Sequence, residues 1–262
     1  MDMKKLCFDV QQIALETAKM IRIERESFSI DSGVEVKGHS NFVTYIDKLS
    51  EEKIIAALAQ LLPESGFIAE EGTSSVRGEV YNWIIDPLDG TTNFTHGLPI
   101  YSISIALMEN EKIVLGVVYE INKDECFYAL ENNTAYCNGK QIAVSPITDL
   151  SESLLATGFP YYDFKAMDKY LKILNNFMQS THGLRRMGSA AVDLAYVACG
   201  RFQGFFEYNL NAWDVAAGAF IVQQAGGKVT DFEGKENHTF GRQIVATGNI
   251  HKPMLEIIKK YW

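Results

Sequence analysis

Residues 83–95 read WIIDPLDGTTNFT. An apolar run of strand-forming residues leads straight into two acids, Asp86 and Asp89, then a glycine and two threonines. A bare pair of carboxylates at a strand end would repel, so the stretch asks for positive charge nearby. Pro87 has a fixed φ and no N–H, which turns the chain just after Asp86 and can aim Asp86, the Leu88 carbonyl and Asp89 into one space. Gly90, Thr91 and Thr92 suit the start of a helix, where free backbone N–H groups and the Thr91 hydroxyl can hold a phosphate.

On either side of this stretch the periodicity changes character. Leu6, Val10, Ile13, Thr17 and Met20 recur at helical spacing, which predicts an amphipathic helix over about 4–25. KLSEEKIIAALAQLL predicts a second helix after Asp47 that ends at Pro63. FIAEEG reads as a short strand that delivers Glu70, so two strand ends present acids. YSISIAL, KIVLGVVY and ECFYAL form a predicted meander, with a tight turn at Asn138-Gly139. Beyond Pro146 strands alternate with helices: SLLAT, a helix over about 166–178, GSAAVDLAYVACG, GFFE, WDVAAGAFIVQQAGG, KVT, QIVAT and a closing helix HKPMLEIIKKYW. The pattern divides the chain into an α+β half, 1–147, and an α/β half, 148–262.

The chain has 262 residues, is 47% hydrophobic and carries a formal charge of −9. That length and apolar content suffice for a full core, and the acidity disfavours a general nucleic-acid binder, which needs a basic face. Cys7, Cys126, Cys137 and Cys199 lack C-x-x-C spacing, which fits thiols in a reducing compartment, and the N-terminus lacks a signal-peptide pattern. With no apolar run of about eighteen residues, a cytoplasmic protein without a membrane span is expected. His39, His96, His182, His238 and His251 show no zinc spacing and are read as surface or internally satisfied residues. Magnesium, a hard cation that takes carboxylate, carbonyl and water oxygens, would make the proximity of Glu70, Asp86 and Asp89 favourable. Taken alone, D-P-L-D-G is also what an ordinary turn looks like.

D-P-L-D-G-T-T-N-F at 86–94, W-D-V-A-A-G at 213–218 and A-E-E-G at 69–72 together resemble the inositol monophosphatase family of magnesium-dependent, lithium-sensitive sugar phosphatases. The resemblance covers essentially the whole chain, with RRMGSAAVDLAYVACGRFQGFFE at 185–207 and QQAGG at 223–227 in the family's order. It implies a layered αβαβα sandwich of the sugar-phosphatase type with the site between the halves. By position, Glu70, Asp86 and the Leu88 carbonyl match ligands of a first magnesium, and Asp86, Asp89 and Asp214 those of a second. Glu70 also matches a ligand of a weaker third ion. Four carboxylates and a phosphate dianion carry about −6, which about three Mg2+ ions balance. Asp47 and Thr91 match the pair that orients the attacking water, and Lys37 matches a loop lysine near the phosphate. Asp89, Gly90 and Thr91 match contacts to phosphate and a sugar hydroxyl, with Asp214 beside them, while Arg185, Ser189, Ala190 and Glu207 match the leaving-group side.

The activity so implied is in-line hydrolysis of inositol monophosphate by metal-activated water, in a homodimer, with a small phosphate monoester as partner and neither membrane nor nucleic acid involved. Related substrates are the rivals: histidinol phosphate, fructose bisphosphate or a 3'(2'),5'-bisphosphate nucleotide, the last disfavoured by Thr92, where the nucleotidase motif usually carries Lys. A non-catalytic interaction protein is the alternative from another class, since some bacterial relatives associate with the transcription machinery. A scaffold has no physical need to hold Glu70, Asp86, Asp89 and Asp214 together.

Overall fold

The apolar repeat near the N-terminus becomes α1 (Met3–Ser27), with Leu6, Val10, Ala14, Ala18 and Ile21 on its buried face. Asp2 caps it by accepting from the Lys4 and Lys5 amides. The computed structural model describes residues 2–28, 34–38, 41–160 and 163–262, with the backbone alone for 34–38 and 41–44. β1 (Val34–Gly38) and β2 (Asn41–Thr44) pair as an antiparallel hairpin, which the sequence pattern did not announce. Lys37 lies on β1, so its side chain is outside the described residues. α2 (Tyr45–Leu61) starts earlier than expected and ends just before Pro63. Asp47 therefore sits inside its first turn, buried, and is not its cap.

β3 (Gly66–Ala69), β4 (Tyr81–Asp89), β5 (Ser102–Glu109), β6 (Lys112–Glu120), β7 (Glu125–Leu130), β8 (Ala135–Cys137) and β9 (Lys140–Ile142) form one sheet in chain order. β3 and β4 run parallel and every other neighbouring pair antiparallel. Asn138 and Gly139, with φ of 47° and 78°, make the predicted tight turn. β4 runs further than YNWII suggested: pairing with β5 resumes at Asp89 after a register shift over 87–88. Pro87 cannot donate to the ladder, so a bulge is the available way to keep the strand going, and it re-aims the side chains on either side. α3 (Thr91–His96) follows from Gly90, whose φ is 98°.

The second sheet is ordered β11 (Gly183–Arg185), β10 (Leu154–Thr157), β12 (Gly204–Tyr208), β14 (Gln243–Thr247) and β13 (Lys228–Thr230). β10 is parallel to both its neighbours and β14 antiparallel to both of its own. Between these strands run α4 (Met167–Ser180), α5 (Ala190–Ala198) and α6 (Ala212–Gln224), and α7 (His251–Tyr261) closes the chain. β11, three residues long, was too short to read from the sequence.

α1 and α2 cover one face of the seven-stranded sheet, α5 and α6 lie between the two sheets, and α4 and α7 cover the outer face of the five-stranded one. The architecture is an αβαβα sandwich. α5 and α6 are buried on all sides, which suits their alanine content, and Gly218 lets them touch: a Cβ there would lie 2.6 Å from Leu194 Cβ. Ile84 and Phe127 from the first sheet and Phe205 and Ile244 from the second pack into one core around Leu194 and Phe220. Side chains of this size stabilise by about 2–3 kcal/mol each when fully buried. Strands from Gly66 to Ile142 belong to the seven-stranded sheet and those from Leu154 to the five-stranded one, and the core around α5 and α6 is shared between the halves. Among the described residues no helix is long and apolar enough to cross a membrane. All four cysteines are free thiols.

Candidate active site

The bulged end of β4, the end of β3, the start of α5, the end of β12 and the start of α6 meet around one pocket. Glu70, Asp86, Asp89 and Asp214 all line it. Each reaches it for a local reason. The Leu88 amide donates to Asp86 Oδ1 at 3.0 Å across the bulge. Asp89 Oδ2 accepts from Ser189 Oγ at 2.6 Å and from the Ala191 amide at 2.7 Å, which ties the first sheet to the head of α5. Asp214, in the first turn of α6, accepts from the Asn211 amide at 2.6 Å in a reciprocal capping box, so capping and pocket lining coincide in one side chain.

Electrostatics single out this cluster. Burial, and after it the charges of Glu70, Asp89 and Asp214, push the Asp86 carboxyl well above the usual range. Burial and then Asp214 do the same to Glu70. Asp89 is pushed up to about 6 by burial, against the pull of the Ser189 hydroxyl and the Ala191 amide. Asp214 rises to about 7 through burial and the charge of Asp89. Like charges sharing a low-dielectric pocket are a standing cost, and a bound cation removes it.

Among the described residues no three such side chains close into a ready-made cage. The available donors are all oxygens, four carboxylates and the Leu88 carbonyl, which is the chemistry magnesium prefers over zinc.

Thr91 Oγ1 lies 2.8 Å from Asp47 Oδ1 and 3.0 Å from the Leu88 carbonyl oxygen. Its single proton is thus shared between the helix α2 acid and the proposed metal-facing carbonyl. Gly90, Thr91, Ser189, Ala190 and Glu207 also line the pocket. Arg185 does not: it is exposed on β11, and Arg186 lines the pocket instead. Adjacent residues leaving a strand point opposite ways, and the parity of an unrecognised strand could not be read in advance.

Four further residues were given no role by the sequence. Glu51, fully buried on α2, accepts from the Glu71 amide at 2.7 Å and from the Thr73 amide and hydroxyl at 2.8 Å, clamping the segment that follows Glu70. Asn93 Nδ2 donates to the carbonyls of Ile100 and Met187, both at 2.8 Å, binding the two halves together beside the pocket. A Cβ on Gly158 would lie 2.0 Å from Glu207 Oε2, so only glycine leaves room for that carboxylate. Asp193 on α5 also faces the pocket and is 1% exposed. Of these, only Asn93 stood inside the opening motif.

The fold and the pocket together define a layered α/β protein with an acid-lined oxygen-donor site between its sheets. The chain belongs to the inositol monophosphatase family, whose model matches residues 5–262. It is 43% identical over 227 residues to a Neisseria meningitidis serogroup B protein named "Putative Nus factor SuhB", covering 86% of this chain and 87% of that one. It is 39% identical over 231 residues to a Mesorhizobium japonicum protein named "Inositol-1-monophosphatase", covering 87% and 86%. Among solved structures it is similar to the extragenic suppressor protein suhB of Bartonella henselae, with a TM-score of 0.93, 37% identity and coverage of 98% and 99%.

Proposed function

We propose that this protein is a magnesium-dependent phosphate monoester hydrolase whose substrate is inositol monophosphate. The observation that carries the reading is the gathering of Glu70, Asp86, Asp89 and Asp214 in one pocket whose like charges call for cations. Magnesium bound there supplies Lewis acidity, lowering the pKa of water and offsetting charge on the phosphate and leaving oxygens.

The chain's own residues do the rest. Asp86, Asp89, Asp214, Glu70 and the Leu88 carbonyl offer the oxygen donors. Thr91, backed by Asp47, orients the attacking water through its hydroxyl. The loop at Gly90 and Thr91 holds the phosphate so that attack is in line, and positioning of this kind is worth several orders of magnitude in rate. On the leaving-group side Ser189 and Ala190 shape the wall, and Glu207 accepts hydrogen bonds from a hydroxyl-rich ring. A homodimer, a cytoplasmic setting and lithium inhibition belong to the same reading and are supported by family membership.

The test is a panel of phosphate monoesters, assayed with and without magnesium, that includes inositol 1-phosphate, histidinol phosphate and fructose bisphosphate. Magnesium-dependent turnover with inositol 1-phosphate preferred is the expected result, and turnover unaffected by chelation would overturn it. The relative named "Putative Nus factor SuhB" supports a second reading, in which the chain also associates with other proteins. Capture of the same partners by the Asp86→Asn variant would separate that role from catalysis.

A further inference from the structure

Asp193 lies one turn into α5, faces the pocket and is 1% exposed. Its Oδ1 has no hydrogen-bond partner among the described residues. Buried carboxylate oxygens are ordinarily satisfied, because the water they give up must be replaced. Glu207, the other acid at this end of the pocket, stands close enough to Asp193 for the two charges to repel. Arg186 attracts Asp193, Glu207 and Asp89 alike, one cation facing three acids.

We infer that Asp193 is a second specificity-determining carboxylate, and that with Glu207 it selects leaving groups carrying neutral hydrogen-bond donors at more than one position, as a cyclic polyol does. This inference rests on the phosphatase reading above and deepens it. Carboxylates only accept, so a pair of them rewards a ring that presents several hydroxyls and discriminates against a leaving group that has none. Arg186 faces the same acids and offsets part of their charge, which lessens the pull of this end of the pocket on a cationic leaving group. Glycine at 158 lets the Glu207 carboxylate lie against the backbone, and Asp193 lines the same pocket from the α5 side.

The unsatisfied oxygen makes a prediction that a structural aspartate would not share. A residue kept for stability weakens the protein when removed. An unpaired buried acid kept for substrate should strengthen it. Asp193→Asn preserves shape, and Asp193→Ala serves as a second variant. Melting temperature without ligand and kcat/KM for inositol 1-phosphate and for ethyl phosphate, whose leaving group has no further hydroxyl, are measured for both. The melting temperature should rise by about 2 °C or more. In the same variants kcat/KM for inositol 1-phosphate should fall about tenfold, with ethyl phosphate within about twofold of wild type.

Equal losses on both substrates, or none on either, overturn the inference while leaving the phosphatase reading intact. A lowered melting temperature in both variants overturns it too, since the side chain is then structural. A wild-type protein that hydrolyses neither ester defeats the phosphatase reading, and this inference falls with it.

Discussion

The Gly158 backbone and the Glu207 carboxylate share a space that admits no methyl group: a Cβ at 158 would stand 2.0 Å from Oε2 and 2.2 Å from Oε1. Glu207 is 8% exposed and so has little freedom to step aside. Residue 158 therefore sets where the acid proposed to read the sugar can lie.

Gly158→Ala should lower kcat/KM for inositol 1-phosphate by roughly tenfold or more, the order expected for losing a hydrogen bond to a charged group worth about 1.5–3 kcal/mol. Introduced into a Glu207→Ala background, the same substitution should cost almost nothing, because the clash has no partner left. A double-mutant cycle on kcat/KM checks this. Simple additivity would show that Gly158 acts elsewhere.

Glu51 makes a different prediction. Its carboxylate holds the Glu71 and Thr73 amides and the Thr73 hydroxyl, and it is not among the residues that line the pocket. Glu51→Gln should raise the magnesium concentration for half-maximal activity about tenfold and leave kcat at saturation within about threefold, because it loosens the segment carrying Glu70. Titration calorimetry with magnesium should show the same weakening in the absence of substrate.

Thr91→Ala should do the reverse. Removing the hydroxyl that bridges Asp47 and the Leu88 carbonyl should slow kcat about 100-fold, with magnesium affinity within about threefold of wild type. Weakened magnesium binding with normal kcat at saturation would show that the roles are exchanged.

The acids proposed as metal ligands could be read from the sequence because each lies in a short local pattern: Asp86 and Asp89 around Pro87, Glu70 at the end of FIAEEG, Asp214 behind Trp213. The meander and the helices were readable for the same reason, since period and turn chemistry are local. Glu51, Gly158 and Asp193 were not, because their meaning depends on partners brought together only by the packing of two sheets around α5 and α6. The exchange of Arg185 for Arg186 shows the limit within one residue: a strand of three gives no alternation to count. Local pattern placed Asp47 only ahead of a helix, because its partner, the Thr91 hydroxyl, comes from another element.

His251 offers a test of the fold that is independent of the site. It is 6% exposed, with Nε2 3.0 Å from Thr230 Oγ1 and Nδ1 3.1 Å from Thr247 Oγ1, and burial lowers its pKa to about 4. A depressed histidine penalises the charged form in the folded state. Its contribution to stability is whole above about pH 6.5 and is lost as pH falls towards 4, by on the order of 2–3 kcal/mol. Urea midpoints of wild type and His251→Gln between pH 7 and 4 should converge as pH falls; parallel curves would show that His251 does not titrate in this range.

The central claim is that Asp86 and its neighbours hold magnesium for hydrolysis. The most direct measurement is phosphate release from inositol 1-phosphate by wild type and Asp86→Asn across a magnesium titration. Wild type should turn over only with magnesium, and Asp86→Asn should keep less than about a tenth of wild-type kcat at saturation, a loss of more than ~1.4 kcal/mol of transition-state stabilisation. Retention above that level at saturating magnesium would contradict the account.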